Sequence, residues 1–174
     1  MTNLLHASLA TVLILLASCA SQRDAAGPKR ARVPEDYQAR SLAELSALDA
    51  GETSLGNKEE TMRVDGDVRP TSAVASCDGV TRPIPSIKAE VLRQWARLYA
   101  GSMEHYTVPY ATEMRFTDDG REHWVAVRTS DLPALQSECA AARAIELRVI
   151  RLGAAIVDDR WEPLLLLEST AVVR

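Results

Sequence analysis

Tyr106-Thr-Val-Pro-Tyr-Ala-Thr-Glu-Met-Arg-Phe116, then Thr117-Asp118-Asp-Gly120-Arg121, then Glu122-His-Trp-Val-Ala-Val-Arg128 carries the clearest structural signal in the chain. Both flanks are rich in β-branched and aromatic residues, which suit a half-buried pleated surface. Between them, Asp118-Asp-Gly120 offers the positive-φ positions that a tight hairpin turn needs. The stretch predicts two antiparallel strands, Tyr106 to Phe116 and Glu122 to Arg128.

The C-terminal third extends the pattern. Asp131 is placed to cap a helix with Pro133 in its first turn, where a missing N–H costs nothing. Its apolar face is Leu132, Leu135, Cys139 and Ala142. Two further strands follow, about Ile145 to Val157 and Leu164 to Val173, joined across Asp158-Asp-Arg160 with Pro163 before the second. The unbroken run Leu164 to Leu167 predicts a strand buried on both sides.

Toward the N-terminus, Ser86 is read as the cap of a helix. Ile87, Val91, Trp95, Leu98 and Tyr99 share one face, and Lys88, Glu90, Arg93, Gln94 and Arg97 take the other, up to Gly101. Residues 61 to 77 supply short β-leaning pieces around Val64, Val68 and Val74. Asp65-Gly-Asp67 and Asp78-Gly79 read as turns, and Pro83-Ile-Pro85 as an extended approach. Ser41-Leu-Ala-Glu44 is a capping-box pattern, with Leu42, Leu45 and Leu48 on one face of a short helix that Gly51 stops. Residues 20 to 40 contain little to bury and read as a flexible tether.

The predicted class is α+β: an antiparallel sheet with two packed helices. The order of strand, hairpin, helix and closing hairpin resembles the oligonucleotide/oligosaccharide-binding (OB) barrel. An open sheet covered by two helices fits the same order.

Composition narrows the partners. The chain has 174 residues and a formal net charge of −4. Residues 2 to 18 contain no Asp, Glu, Lys or Arg, so that charge belongs to the remainder. A mildly acidic surface argues against nonspecific nucleic-acid binding, which works by neutralising phosphates.

Leu16-Ala17-Ser18-Cys19 closes an apolar run that begins at Leu9 and is too short to span a bilayer. A branched apolar residue, two small residues and a cysteine resemble the lipobox of bacterial lipoprotein signal peptides. The resemblance covers about the first twenty residues. It implies a signal peptide over 1–18, cleavage before Cys19 and a diacylglyceryl group on that thiol. A tether over 19–40 and a single domain over 41–174 would follow. Each buried methylene contributes about 0.8 kcal/mol, and one acyl chain alone binds only reversibly; the family's two or three chains imply stable attachment. Ala20 in place of Asp after the cysteine implies the outer membrane, facing the periplasm, if the cell is Gram-negative.

In an exported chain the remaining cysteines, Cys77 and Cys139, invite a disulfide. The other reading makes each a small buried hydrophobe.

The chain carries few of the residue patterns that mark catalysis. There is no nucleophile elbow, Ser-x-x-Lys pair, phosphate loop or His-Glu-x-x-His motif. His105, His123, Cys77 and Cys139 number enough for a zinc site but lack its close pair spacings, so no metal and no cofactor is expected. Glu122 and His123 alternate to opposite faces of a strand, and Asp118 and Asp119 fall at a hairpin tip. Six of the eight aromatic residues lie between 95 and 124. Such a cluster reads first as core; Tyr110 and Trp124 are its candidates for an exposed ligand face. The sequence therefore predicts a noncatalytic envelope lipoprotein whose domain binds a protein partner or scaffolds an envelope assembly. The rival is an envelope hydrolase or carbohydrate-binding protein built from scattered residues, such as Glu122 or Asp118 with His105.

Overall fold

The structure, a computed structural model, describes residues 36–47, 61–66, 68, 70–100, 107, 109–141 and 144–173. Cys19 and its signal, tether residues 19–35, Leu48, Gly51, Asp67, His105 and Ala142 lie outside them. Seven strands form one mixed sheet: β1 (Gln38–Ala39), β2 (Met62–Val64), β3 (Pro70–Pro83), β4 (Thr112–Asp118), β5 (Arg121–Val127), β6 (Ile145–Val157) and β7 (Arg160–Val172). They are accompanied by the helices α1 (Leu42–Ala47), α2 (Ser86–Trp95), which runs on into a π turn (Ala96–Ala100), and α3 (Leu132–Ala141).

β3 organises the sheet. Residues 70–75 pair with β6 and residues 76–83 with β4, all antiparallel. β4 pairs with β5, β5 runs parallel to β7, and β7 pairs with β6. Pairing is thus continuous around β3, β4, β5, β7 and β6, with β1 added beside β3 and β2 beside β6.

Asp78-Gly79, expected as a turn between short pieces, lies inside one 14-residue strand. Gly79 has φ 76° and the β3–β4 register shifts between Cys77 and Thr81. The Asp-Gly pair therefore makes a bulge, held by the Val80 N–H donating to Asp78 Oδ1 at 3.1 Å. A bulge bends a strand without ending it, and the bend lets one strand serve two partners.

Residues ahead of the expected boundary at 41 also join the sheet. Gln38 and Ala39 pair with Thr71 and Ser72, and Tyr37 donates its hydroxyl to Glu168 at 2.8 Å. Low apolar content hid this segment, because it is held by backbone pairing. In α1 the capping box closes both ways: Glu44 N–H donates to Ser41 Oγ at 3.0 Å and Ser41 N–H to Glu44 Oε2 at 2.8 Å.

The sheet's two faces carry separate cores. One, closed by α1 and α3, is built from Leu42, Leu45, Met114, Phe116, Val125, Val127, Leu135, Leu147 and their neighbours. The other lies under α2 and joins Val91, Leu92, Trp95, Ala126, Leu152, Leu164 and Leu166. Leu164, Leu165 and Leu166 are fully buried, alternating between the two, so the strand is covered on both sides. A disulfide between Cys77 and Cys139, Cα atoms 5.3 Å apart, ties α3 to β3. Closing its 62-residue separation is worth up to about 4 kcal/mol on the chain-entropy account.

α2 departs from its expected face. Pro85, not Ser86, occupies the N-cap and makes no side-chain cap bond. Lys88, assigned to the polar face, is fully buried, whereas Leu98 and Tyr99 are 60% and 46% exposed. The π turn explains the second change: the wider turn breaks the helical period after Trp95 and rotates the next residues outward. The first has an electrostatic cause.

Candidate functional site

β5 and β7 pair only at Val125↔Leu165 and Ala126↔Leu166. Before those positions, Arg121–Trp124 pair with β4 and Arg160–Glu162 with β6, and the two strands have no register with each other. Each strand leaves its own tight turn. Asp119 and Gly120 have φ of 49° and 73°, and Asp158 and Asp159 of 48° and 63°, the signs a two-residue hairpin of type I′ requires. Two hairpins with different partners meet in parallel, so their turn ends diverge. Pro163 stands where the seam opens and has no N–H to pair across it. The result is a cavity of about 290 Å³ between the strand ends, with Trp124 and Trp161 among its lining.

The inner wall is a charge cluster. Lys88 on α2 and Glu113 on β4 are both fully buried, with Nζ 2.5 Å from Oε1. Arg82 Nε donates to Glu113 Oε2 at 2.8 Å, and Arg82 also contacts Glu162 Oε2 at 2.5 Å. Lys88 Nζ lies 3.4 Å from the same Glu162 oxygen. Two cations and two carboxylates thus neutralise one another. This is why Lys88 is inside: a buried ammonium is tolerated only when paired. The Arg82 guanidinium also sits 4.2 Å from the Trp124 ring centroid, which fixes that indole by a cation–π contact.

At the mouth the balance differs. Glu122 accepts from Arg115 at 3.0 Å, and Arg115 also binds Asp78, whose carboxyl its hydrogen bond holds below the usual range. Arg121 and Arg160 are exposed, and among the described residues neither has an ion-pair partner. The cavity's carboxylates are occupied, and its outermost cations are free.

His123 projects to the opposite face from Glu122, as strand alternation requires. Its Nδ1 is 3.1 Å from Ser46 Oγ on α1, and its buried Nε2 has no hydrogen-bond partner. Ser46 also donates to the Leu42 carbonyl at 3.0 Å, so its single proton has two claimants. A serine committed to its own helix, beside an imidazole that nothing orients from behind, lacks the geometry of an activated nucleophile. Asp118, expected as a solvated turn residue, instead accepts from the Leu42 N–H at 2.6 Å and caps α1.

Burial holds the His123 pKa below 6.5, with Arg121 adding to the effect and Asp118 opposing it. An imidazole depressed in the folded state takes up its proton more readily in the unfolded chain, so stability falls as pH drops below 6.5. Melting temperature is expected to decline between pH 7 and 5, and less so in His123→Gln. An unchanged pH slope in that variant would assign the decline to other groups.

Of the two aromatic candidates, Trp124 lines the cavity. Tyr110 does not: it is 3% exposed, donates to the Leu167 carbonyl at 3.3 Å and accepts from Arg128 Nε at 3.0 Å. It is a buried brace whose hydroxyl is already used. Trp161 was absent from the sequence-based candidates, although its place just after the Asp158-Asp159 turn put it at a strand mouth. Among the described residues no group of three or more His, Cys, Asp or Glu is placed to hold a metal ion, and no helix is long and apolar enough to cross a membrane. No family model, curated protein or solved structure matches the chain.

Proposed function

We propose that this chain is a lipid-anchored, noncatalytic binding protein of the cell envelope whose ligand seat is the open seam between β5 and β7. The observation that carries this reading is the seam itself: a cavity between unzipped strand ends, lined by Trp124 and Trp161 and braced by a neutralised charge cluster. Fixed aromatic surfaces with a few oriented polar groups are what a preformed small-ligand site needs. The ring of pairings through β3, β4, β5, β7 and β6, with a helix between its third and fourth strands, supports an OB-like barrel as the architecture. A protein partner is the second reading, favoured by Leu98 and Tyr99, which stand together and exposed on the π turn.

The lipobox resemblance at Leu16–Cys19 supports the anchor and, with it, an outer-membrane, periplasm-facing location in a Gram-negative cell. Cys19→Ala is expected to abolish incorporation of a labelled fatty acid and move the protein from the membrane fraction. Unaltered labelling and fractionation would refute the anchor.

A further inference from the structure

Resting on the seam being the ligand seat, we infer that its ligand is an acidic saccharide unit: a pyranose ring carrying a carboxylate. Charge selects the sign. Glu122 and Glu162 are engaged by Arg115 and by Arg82 with Lys88, while among the described residues Arg121 and Arg160 have no ion-pair partner at the mouth. A ligand carboxylate there gains charge-assisted hydrogen bonds without displacing an internal pair. Shape selects the body. Trp124 and Trp161 both line the cavity, Trp124 with the Arg82 guanidinium against one ring face, and the apolar C–H face of a sugar ring packs against aromatic side chains of this kind with its hydroxyls directed outward.

Hydrogen bonding selects hydroxyls over an extended peptide. The seam presents the guanidiniums of Arg121 and Arg160 beside the carboxylates of Glu122 and Glu162, a mixture of donors and acceptors that a polyhydroxylated ring can meet. A peptide strand inserted between β5 and β7 would need an N–H at Pro163, which has none. Size agrees: about 290 Å³ lies at the lower end of small-ligand cavities and suits one or two rings.

The test is titration of the full-length chain in detergent, followed by tryptophan fluorescence and calorimetry. Four probes are compared: hyaluronan tetrasaccharide, free glucuronic acid, the neutral chitotetraose of equal ring count, and an acidic hexapeptide. Hyaluronan tetrasaccharide is expected to bind, with chitotetraose at least tenfold weaker. Arg121→Gln and Arg160→Gln should each weaken the acidic probe by about tenfold, the usual worth of one charge-assisted hydrogen bond, and leave chitotetraose unchanged. Binding of free glucuronic acid within tenfold of the tetrasaccharide would assign recognition to a single ring; much weaker binding would assign it to the polymer. Both support the acidic-saccharide class. Equal binding of the neutral and acidic tetrasaccharides, binding of the peptide alone, or no binding of any acidic sugar overturns the class. Saccharide binding untouched by Trp161→Ala or Trp124→Ala overturns the seat itself, so the two failures are distinguishable.

Discussion

Glu113→Leu is expected to lower folding stability by about 3–5 kcal/mol, the usual result of removing one partner from a buried ion pair. The reason is what remains. Lys88 is fully buried, and without Glu113 its one remaining carboxylate among the described residues is Glu162 at 3.4 Å. The reverse change, Lys88→Met, should cost less, because Glu113 keeps the Arg82 guanidinium at 2.7–2.8 Å. The double variant Lys88→Met/Glu113→Leu removes both charges and is expected to recover much of the loss, since a well-packed apolar pair often matches a buried ion pair. Urea denaturation of the four proteins measures the cycle. Equal costs for the two single changes would show that Arg82 does not share the Glu113 charge.

The second large effect is expected at Gly153. This residue sits at φ 154°, beside a register shift in the β6–β7 ladder. A Cβ built there lies 2.1 Å from the Arg63 carbonyl oxygen and 2.9 Å from Val91 Cγ1. The first neighbour is backbone of β2, held by the pairing of Val64 with Gly153 and by the Asp65 N–H donating to the Leu152 carbonyl at 2.9 Å. It cannot yield without lifting β2 from the sheet. Gly153→Ala is therefore expected to cost about 3 kcal/mol or more, in the range of severe overpacking. Gly79→Ala supplies the comparison: at φ 76° with nothing within 4 Å, it should cost only the left-handed backbone penalty of about 1–2 kcal/mol. A Gly153→Ala protein as stable as Gly79→Ala would mean that β2 does not pack where the structure places it.

Much of the architecture was legible because it rests on local grammar. Asp118-Asp-Gly120 and Asp158-Asp159 mark hairpins through their φ requirements, and Leu164–Leu167 advertises a strand covered on both faces. Three features stayed hidden, two because distant partners decide them and the third because a π turn breaks the helical period. Asp78-Gly79 carries the same signal as a turn, and only pairing of β3 with both β4 and β6 makes it a bulge. Lys88 reads as a surface residue until Glu113, 25 positions on, is brought under it. The helical period predicts that Leu98 and Tyr99 face inward, and a π turn rotates them out.

The candidate site was half legible. Trp124 stood out as a member of the aromatic cluster in a predicted strand; Trp161 was signalled only by its place after the Asp158-Asp159 turn, and the buried charges by nothing local. The seam arises where two hairpins meet in parallel, and no local pattern encodes a parallel contact between strands so far apart. Tyr110 misled for the complementary reason: an aromatic residue in a predicted strand does not reveal that its hydroxyl is spent on Leu167 and Arg128.

Ligand binding at β5 and β7 requires the seam to be open, and residue-resolved amide hydrogen exchange of the free protein reports whether it is. Amides on the seam side of Arg121–Trp124 and of Trp161–Glu162 are expected to exchange far faster than those bridging Val125–Ala126 and Leu165–Leu166, because unpaired strand edges open to water without global unfolding. Equal, strong protection along the whole length of both strands would show the seam zipped shut, with no seat for a ligand.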